Sequence, residues 1–386
     1  MHTVRVTRKG ASRIASGHPW IFASDVLDRG QAGAGEAVLV VGPQGTALGT
    51  AHYSASSQIS LRLLSERAET IDRAFYQQRI AAAQAYRERV VQDSEAYRLV
   101  YGEADQLPGL VIDRYGAYFT LQTLDQGMDR VKAEILSSIE ELFAPRGIVE
   151  RNDVAVRKRE SLPLETGVLA GEVPEMVGIR MNGLTLHADL LHGQKTGIFL
   201  DQRENYLAAA RYARGRVLDC FTSTGGFALH LALHAESVEA VDSSEASLAI
   251  ARRNAAANGI TNVEFREADV FDLLAGYAGA RRRFDLVVLD PPAFAKSRQN
   301  LEAAVRGYRE INRRALELLS PAGVLVTCSC SHHLSEAALL ELVAEASLDT
   351  GRKLRVLERR MQSQDHPVLL TVPETLYLKC LIFEVV

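Results

Sequence analysis

Cys330 is the side chain in this sequence best suited to covalent chemistry. It closes a short apolar run, Gly323-Val-Leu-Val-Thr-Cys-Ser-Cys-Ser331, which predicts a β-strand. A thiolate is the common side chain nucleophilic enough near neutral pH to add to a carbon of an aromatic ring. Cys330 also lies downstream of a glycine-rich turn and an Asp-Pro-Pro loop, so its position indicates covalent activation of a pyrimidine.

The glycine-rich turn, Asp219-Cys-Phe-Thr-Ser-Thr-Gly-Gly-Phe227, indicates a nucleotide-like cofactor. It follows a predicted strand and begins a predicted helix, and Gly225 and Gly226 let a ligand approach the backbone closely. The turn lacks the G-x-G-x-x-G spacing of dinucleotide sites and has an acid at the strand end. Asp219 disfavours a phosphate and favours a cationic amine, such as the amino acid end of S-adenosylmethionine.

Two more acids follow the next two predicted strands. Asp242 is predicted to accept hydrogen bonds from ribose hydroxyls, and Asp269 to accept from the adenine amino group. Each acid alone could equally cap a helix, but three acids after three successive strands favour an S-adenosylmethionine site. The cofactor residues predicted in this region are Asp219, Phe221, Thr224, Gly225, Gly226, Asp242, Ser243, Asp269, Val270, Asp290 and Pro291.

The run Asp290-Pro-Pro-Ala-Phe294 ends a fourth predicted strand. Its two prolines give a stiff, extended loop without two backbone donors, which helps hold carbonyl groups toward the edge of a substrate. We therefore predict that Asp290 acts in catalysis beside Cys330. A purely structural turn is the alternative.

Beyond residue 216, predicted strands and helices alternate, which is typical of a doubly wound, mostly parallel α/β sheet. Strands are predicted at 216–219, 238–242, 263–266, 284–290, 324–327, 354–358 and 377–384. Such sheets bind ligands at the carboxyl ends of their strands, which is where the motifs gather.

Three domains are predicted. Residues 1–70 hold short strands at 36–41, 46–53 and 58–64 with glycines between them, which indicates a small β-barrel. Residues 71–175 predict an α+β domain with a helix over 128–143, and we assign no chemistry to it. Residues 176–386 form the third domain, which opens on a hairpin with the tight-turn pair Asn182-Gly183.

Composition limits the class of protein. The hydrophobic share of 47% and charged share of 24% are typical of a globular protein in water, and no apolar run has the length of a membrane span. The first residues carry charges where a signal peptide would be apolar, so a cytoplasmic location is expected. Four cysteines without zinc spacing predict thiols and no metal site.

A net charge of −4 argues against a protein that coats nucleic acid, but not against a local cationic footprint. The predicted RNA-binding residues lie in the first twenty positions, which contain no acid: Arg5, Arg8, Lys9 and Arg13. Ordinary surface charge is the alternative for any one such cluster. No membrane partner is expected, and a homodimer is left open.

Several motifs together resemble the large-subunit 23S ribosomal RNA cytosine-C5 methyltransferase I family. They are His192-Gly-Gln-Lys-Thr-Gly-Ile-Phe-Leu-Asp-Gln-Arg203, Thr224-Gly-Gly-Phe227, Asp290-Pro-Pro-Ala-Phe294, Ser329-Cys-Ser331 and Asp365-His-Pro-Val368. The segment from Lys9 to Phe22 is similar to that family's PUA domain. The resemblance covers essentially the whole chain. It implies a PUA domain, a central α+β domain and a class I methyltransferase domain that acts on ribosomal RNA with S-adenosylmethionine.

The resemblance also implies roles for single residues. Cys330 would be the nucleophile, and three residues would border the cofactor: Lys195, Phe199 and Gln202. Cys328 is interpreted as packing, although strand alternation puts it on the same face as Cys330, so that periodicity cannot separate the two. Cys220 and Cys380 are interpreted as small buried residues.

The chemistry follows from the electronics of a pyrimidine. Carbon 5 of cytosine is a poor nucleophile, but addition of a thiolate at carbon 6 makes it able to take a methyl group. Asp290 is the candidate for a hydrogen bond at the N3 edge, and the base that removes the carbon 5 proton is unassigned. The target base must be unstacked, because the thiolate attacks its face.

Two other functions compete with this interpretation. An RNA methyltransferase acting on an exocyclic amine of adenine or guanine would also use the Asp-Pro-Pro-x-Phe loop but would need no thiol. A non-catalytic RNA-binding assembly factor on the same fold would bind no cofactor.

Overall fold

The computed structural model describes residues 1–294 and 301–386, and the chain forms two compact units. The first unit contains residues 1–179, 188–198 and 364–375, and the second contains residues 180–187, 199–363 and 376–386. Neither unit is one continuous stretch of sequence, because the chain passes between them several times. No helix in the described part of the chain is both long enough and apolar enough to cross a membrane.

The first unit contains two β-sheets. Its elements in chain order are β1 (Thr3–Val6), α1 (Arg8–Ala15), β2 (Trp20–Phe22), β3 (Val26–Asp28), β4 (Ala37–Val41), β5 (Ala47–Tyr53), β6 (Ile59–Ser65), α2 (Arg73–Val90), β7 (Ala96–Tyr101), β8 (Leu110–Tyr115), β9 (Tyr118–Thr123), α3 (Gln126–Arg130), α4 (Lys132–Phe143), β10 (Gly147–Arg151), α5 (Val156–Arg159) and β11 (Thr166–Gly171). The six-stranded sheet has the order β2-β6-β5-β4-β1-β3, and the five-stranded sheet has the order β11-β10-β9-β8-β7.

The six-stranded sheet follows the alternation expected of half-buried strands. In β1 the side chains of Val4 and Val6 are fully buried, whereas Arg5 between them is exposed. The chain then turns into α1, where the side chain of Thr7 accepts a hydrogen bond from the amide of Gly10 at 3.1 Å and caps the helix. Strands β4, β5 and β6 lie within one residue of the predicted positions.

The helix expected over residues 128–143 is two helices, α3 and α4, which meet at Val131. The side chain of Asp125 accepts from the amide of Met128 and starts α3 earlier than the apolar spacing predicts. Gly127 is needed there, because a Cβ at this position would lie 2.1 Å from the Cγ atom of His52.

The second unit is built around one seven-stranded sheet. The remaining elements are β12 (Val177–Met181), β13 (Leu184–Ala188), α6 (Arg203–Ala210), β14 (Arg216–Cys220), α7 (Gly226–Ala232), β15 (Ser237–Asp242), α8 (Glu245–Ala257), β16 (Val263–Glu267), α9 (Val270–Gly279), β17 (Phe284–Leu289), α10 (Leu301–Leu318), β18 (Leu319–Ser329), α11 (Glu336–Asp349), β19 (Leu354–Arg360) and β20 (Lys379–Val385). Strands β12 and β13 form the predicted hairpin.

The strand order of the large sheet is β16-β15-β14-β17-β18-β20-β19. The pairs from β16 to β18 are parallel, and β20 runs antiparallel to both of its neighbours. The doubly wound, mostly parallel sheet predicted from the sequence is therefore confirmed. Consecutive residues of the central strands β14, β17 and β18 are buried, so both faces of the sheet are covered there. Helices α9, α10 and α11 share one apolar cluster with these strands.

Strand β18 is longer than its predicted core of residues 324–327. It already pairs with β17 at Leu319 and runs to Ser329, because β17 and β20 both supply hydrogen-bond partners along its length. Cys330 is consequently the first residue after the strand. Asp290, in the same way, is the first residue after β17.

Candidate active site

Three carboxylates converge at the carboxyl ends of adjacent strands in the second unit. Asp219 lies in β14, which has β15 with Asp242 on one side and β17 followed by Asp290 on the other. The pKa of Asp219 is raised to about 7, chiefly by burial and in part by the charges of Asp290 and Asp242. The edge is therefore rich in negative charge and suited to a cationic group.

The glycine-rich turn that follows β14 has an unusual backbone. Phe221, Ser223 and Gly225 have φ angles of 64°, 49° and 88°, so three residues in five adopt the left-handed region. Hydrogen bonds hold this shape, because Asp219 Oδ2 accepts from Thr222 Oγ1 at 2.6 Å and from the amide of Ala228 at 2.9 Å. Asp219 thus fixes the turn as well as supplying charge.

Gly226 is required by a close approach rather than by its backbone angles. A Cβ there would lie 2.4 Å from Cζ of Tyr206 on α6. The Tyr206 ring stacks on His230 at 5.1 Å between centroids, and its hydroxyl donates to the carbonyl of Phe199 at 3.3 Å. The turn is therefore packed against α6 with no room for a side chain.

His230 lies behind the turn as a neutral residue. Burial lowers its pKa to about 4. Its Nδ1 donates to the carbonyl of Gly226 at 2.7 Å, which leaves Nε2 to accept from Asn182 Nδ2 at 3.1 Å. The hydrogen bonds fix the tautomer, and we assign His230 a structural role.

The acceptors at this edge fit S-adenosylmethionine. Asp219 Oδ1 is buried and has no hydrogen-bond partner, so it can accept from an ammonium group. Asp242 is partly exposed, and its two oxygens accept from the amides of Ser223 and Ser244 at 2.8 and 2.9 Å. Each of these oxygens keeps a lone pair for a ribose hydroxyl.

Asp269 caps a helix, which is the alternative role considered for it. Its Oδ1 accepts from the amides of Phe271 and Asp272 at 2.8 and 3.2 Å and begins α9. Its side chain is exposed. Its contact with an adenine amino group stays a prediction. Val270 packs in the apolar cluster of the sheet, so only its backbone can line a cofactor site.

The other predicted cofactor residues differ in exposure. Phe221, Thr224 and Phe199 are partly exposed, Ser243 is exposed, and Pro291 and Gln202 are buried, all in the second unit. Lys195 is exposed and belongs to the first unit. The contacts of all of them with a cofactor stay predictions.

Burial separates the four cysteines. Cys220, Cys328 and Cys380 are fully buried, and none of the four forms a disulfide. Burial also raises the pKa of Cys220 and of Cys328 well above the ordinary range, which keeps these thiols protonated. Cys330 is partly exposed at the end of β18, so it is the thiol that solvent and substrate can reach.

The chain around Cys330 is held on both sides. Ser329 Oγ accepts from the amide of Ser331 at 3.3 Å and donates to the hydroxyl of Tyr308 at 3.1 Å. Lys379 Nζ donates to the carbonyl of Ser331 at 2.6 Å. These bonds fix the backbone that carries the thiol.

Asp290 and Cys330 share a neighbour in Tyr308. The pKa of Tyr308 is raised to about 12, chiefly by burial and in part by charges on Cys330 and Asp290. The ring of Phe294 lies 4.7 Å from that of Tyr308, so the Asp-Pro-Pro-x-Phe loop packs on α10. The two predicted catalytic residues thus border the same aromatic side chain.

The Asp365-His-Pro-Val368 motif belongs to the first unit, where it is a structural anchor. Asp365 Oδ2 accepts from the amide of Arg98, and the carbonyl of Asp365 accepts from Arg87 Nη2, both at 2.8 Å. The His366 ring lies 5.4 Å from that of Tyr101. The motif therefore joins residues 364–375 to the five-stranded sheet.

The predicted RNA-binding residues lie in the first unit. Arg5 on β1 and Arg8 and Lys9 on α1 are exposed, and Arg13 lies over the Phe22 ring at 4.7 Å. A second basic set, Arg309, Arg313 and Arg314 on α10, is paired with acids, which are Asp349, Glu310 and Glu317.

Trp20 contributes to packing in the first unit. Its side chain is partly buried, and its Nε1 donates to Glu103 Oε1 at 2.8 Å. This bond satisfies the one polar atom of the indole, as is usual for a buried tryptophan.

Sequence reasoning missed four residues of this site: Tyr206, Asn254, Tyr308 and Lys379. Asn254 on α8 joins the hairpin to the turn, since its Nδ2 donates to the carbonyl of Thr224 at 3.0 Å and its Oδ1 accepts from the amide of His187 at 2.8 Å. Each of the four belongs to an element distant in sequence from the motif it supports. No local pattern marks them.

Two family models match the chain. Residues 147–384 match the S-adenosylmethionine-dependent methyltransferase family, and residues 4–66 match a PUA-like domain. "Ribosomal RNA large subunit methyltransferase I" of Klebsiella pneumoniae is 42% identical over 371 residues, covering 94% of this chain and 93% of that protein. The protein of the same name from Shewanella amazonensis is 44% identical and covers 95% of both chains.

The chain belongs to the ribosomal RNA large subunit methyltransferase I family. The resemblance inferred from the motifs is thus confirmed, together with the fold class and S-adenosylmethionine as the cofactor. Among solved structures, a chain from Streptococcus mutans assigned to the SAM-dependent methyltransferases has a TM-score of 0.84 at 22% identity and covers all of both chains. The M. jannaschii tRNA m1G37 methyltransferase has a TM-score of 0.53 at 16% identity, covering 85% of this chain and 82% of that one. At such identities the likeness concerns the fold.

Proposed function

We propose that this protein methylates carbon 5 of a cytosine in large-subunit ribosomal RNA, with Cys330 as a covalent nucleophile. The observation that carries the proposal is the placement of one accessible thiol directly after β18, beside the carboxylate edge of the sheet. The curated relatives are named for action on large-subunit ribosomal RNA, which supports the class of substrate.

Each residue has a distinct task in this reaction. The Cys330 thiolate forms a bond to carbon 6 of the base, and the electron pair displaced from the ring moves toward N3. Asp290 hydrogen bonds at the N3 edge and favours a protonated N3, which takes up the electron pair displaced from the ring. S-adenosylmethionine supplies an electrophilic methyl group for carbon 5.

The final steps restore the aromatic ring. A base removes the proton from carbon 5, the electron pair re-forms the carbon 5–carbon 6 double bond, and the sulfur leaves as thiolate. Because the thiolate approaches the face of the ring, the target cytosine must be turned out of any helix.

Replacing the nucleophile tests this directly. Cys330→Ala is expected to lower methyl transfer by at least about 10³-fold, since the nucleophilic route is lost, and to leave S-adenosylmethionine affinity unchanged. Cys380→Ala, which removes a fully buried thiol on β20, is the matched control and should keep most of the activity. RNA containing 5-fluorocytosine should form a stable adduct with the wild type, visible as a mass increase on the Cys330 peptide.

The main alternative predicts the opposite activity for Cys330→Ala. A methyltransferase that acts on an exocyclic amine needs no thiol, so retained activity in Cys330→Ala would exclude the covalent route. Mapping methylated nucleotides in ribosomal RNA from cells with and without the protein would then identify the base that is modified. Lack of measurable S-adenosylmethionine binding would instead favour a non-catalytic assembly factor.

A further inference from the structure

Lys379 is a buried lysine next to the nucleophile. It begins β20, where the strand register pairs it with Ser329, the residue before Cys330. Its Nζ donates to the carbonyl of Ser331 at 2.6 Å and to that of Tyr377 at 2.8 Å. Only 7% of the residue is exposed. The ammonium group therefore holds the residue that follows Cys330.

A buried ammonium group ordinarily has a carboxylate partner, because removal of a charge from water is costly. Among the residues that the structure describes, Lys379 makes no ion pair with a carboxylate within 4.0 Å. Burial lowers its pKa to about 8, and Cys330 is the larger of the two charges that act in the opposite direction, ahead of Glu336. A negative charge on Cys330 would thus be the chief compensating charge for this buried lysine.

The coupling between two titrating groups is mutual. If the thiolate favours the ammonium form of Lys379, the ammonium form favours the thiolate of Cys330 by the same free energy. At pH 7 the lysine is below its pKa of about 8 and carries its charge. The pair is therefore arranged to favour the ionised thiol near neutral pH.

The other charged groups nearby do not replace Lys379. Glu336 on α11 is paired with Arg359 on β19. The Arg359 side chain is largely exposed, so solvent screens its charge. Tyr308 on α10 is neutral near pH 7, since burial raises its pKa to about 12. Other titratable groups on the described elements that meet here are Cys328 on β18, Cys380 on β20, Asp290 after β17, Tyr377 before β20, and His332 and His333 in the exposed loop after Cys330.

We propose that Lys379 is a positioning residue for the nucleophile, which holds the turn from Ser329 to Ser331 and stabilises the Cys330 thiolate that adds to the base. The inference rests on the proposed function. The proton lost by Cys330 goes to solvent, Lys379 keeps its own proton throughout, and no covalent bond changes at Nζ. When sulfur bonds to carbon 6, the negative charge passes from sulfur to the ring.

The test measures the thiol itself. The rate of alkylation of Cys330 by iodoacetamide is followed against pH by peptide mass spectrometry, with no RNA or cofactor present. We expect the midpoint in the wild type to lie about one pH unit or more below the roughly 8.5 of an ordinary cysteine. Lys379→Gln, which keeps a hydrogen-bond donor but removes the charge, should raise the midpoint by about one unit.

Three further variants complete the series. Lys379→Met should raise the midpoint as Gln does, and Lys379→Arg, which keeps the charge, should restore it to near the wild-type value. Lys353→Met, which removes an exposed lysine elsewhere in the same unit, is the control and should leave it unchanged. Methylation should follow the same order, with kcat at pH 7 about tenfold lower in Lys379→Gln and KM little altered.

An unchanged midpoint in Lys379→Gln would overturn the proposal, even if activity fell, because a purely structural lysine would lower activity without moving the ionisation of Cys330. Failure of Arg to restore the midpoint would overturn it too. If Met does not fold, Gln and Arg still decide the question. The outcome is separate from that of the proposed function, since alkylation can show the shift even if Cys330→Ala keeps its methyl transfer.

Discussion

A single residue in the site can both stabilise the fold and take part in the chemistry. Asp219 fixes the turn through Oδ2 and presents Oδ1 without a partner, so one carboxylate serves both the fold and the cofactor. Cys330 owes its role to exposure rather than to residue type, since three other thiols are fully buried. At this scale the surroundings decide what a given side chain can do.

The dependence of cofactor affinity on pH at the acid end follows from Asp219. Burial raises its pKa to about 7 in the cofactor-free protein, whereas an ammonium group beside Oδ1 favours the carboxylate. On the acid side, the affinity for S-adenosylmethionine should therefore follow the ionised fraction of Asp219. It should fall as the pH drops through 7, approaching about tenfold per unit below pH 6.

Calorimetry between pH 5.5 and 8 checks this prediction. In addition, titrations in buffers of different ionisation enthalpy should show release of about half a proton on binding near pH 7, rising toward one proton at lower pH. Asp219→Asn should bind weakly at every pH and lose the acid dependence, while Asp269→Asn should keep it, since Asp269 is an exposed helix cap. A flat profile in the wild type would exclude Asp219 as the titrating group.

Elements of the second unit place the site by their order. The strand β14 lies at the centre of the sheet, with β15 and β17 as neighbours, so residues that follow these strands meet at one edge. The glycine-rich turn is held between that edge and α6, and Cys330 follows β18, the next strand along. The site is a property of strand order rather than of any one motif.

The close packing of the turn against α6 gives a prediction for Gly226. In Gly226→Ala the new Cβ would lie 2.4 Å from Cζ of Tyr206, so either the ring or the turn must move. We expect a loss of roughly 1–3 kcal/mol in the free energy of unfolding, typical of overpacking, and weaker cofactor binding because the turn is displaced.

Gly276→Ala is the matched control. Gly276 lies in helix α9, and nothing lies within 4 Å of a Cβ built there. Alanine should leave stability unchanged or raise it by about 0.5–1 kcal/mol, since glycine costs that much in a helix. Denaturant unfolding of both variants measures the difference. Equal stabilities for the two variants would show that the turn accommodates the added methyl group with no loss in the free energy of unfolding.

At the scale of the whole molecule, the basic sets on α1 and α10 differ in how far acidic side chains neutralise them. On α10 the arginines are neutralised by acids, as Arg309 is by Asp349 and Glu345. On α1, Arg8 and Lys9 are exposed, and the long contact of Lys9 with Asp25 measures 4.0 Å. We therefore propose that α1, rather than α10, contacts RNA phosphates.

Replacing both Arg8 and Lys9 with alanine tests this placement. Affinity for ribosomal RNA fragments should fall, and the slope of log affinity against log salt should decrease by about 1–2, as expected for the loss of one or two phosphate contacts. S-adenosylmethionine affinity should not change. The control, Arg309→Ala, removes a cation that is already paired and should leave the slope as it is. A fall in affinity without a change in slope would argue against phosphate contact.

The sequence by itself determined the alternating strands and helices of the second unit, the strands β4 to β6, and the acids, glycines and cysteine placed at strand ends. Local patterns suffice there, because the period of apolar residues and the turn residues are set by neighbours in the chain. The break between α3 and α4 needed more, since Gly127 is fixed by contact with His52, a residue far away in sequence.

Only the tertiary structure decided which of two cysteines on the same strand face is accessible, because exposure depends on where β18 ends against β17 and β20. It also decided that Tyr206 closes over Gly226, that Tyr308 lies beside both Cys330 and Asp290, and that Lys379 is buried against the turn after β18. These contacts join residues from strands and helices far apart in the chain. Burial and electrostatic coupling arise from the packed fold, and no local sequence pattern contains them.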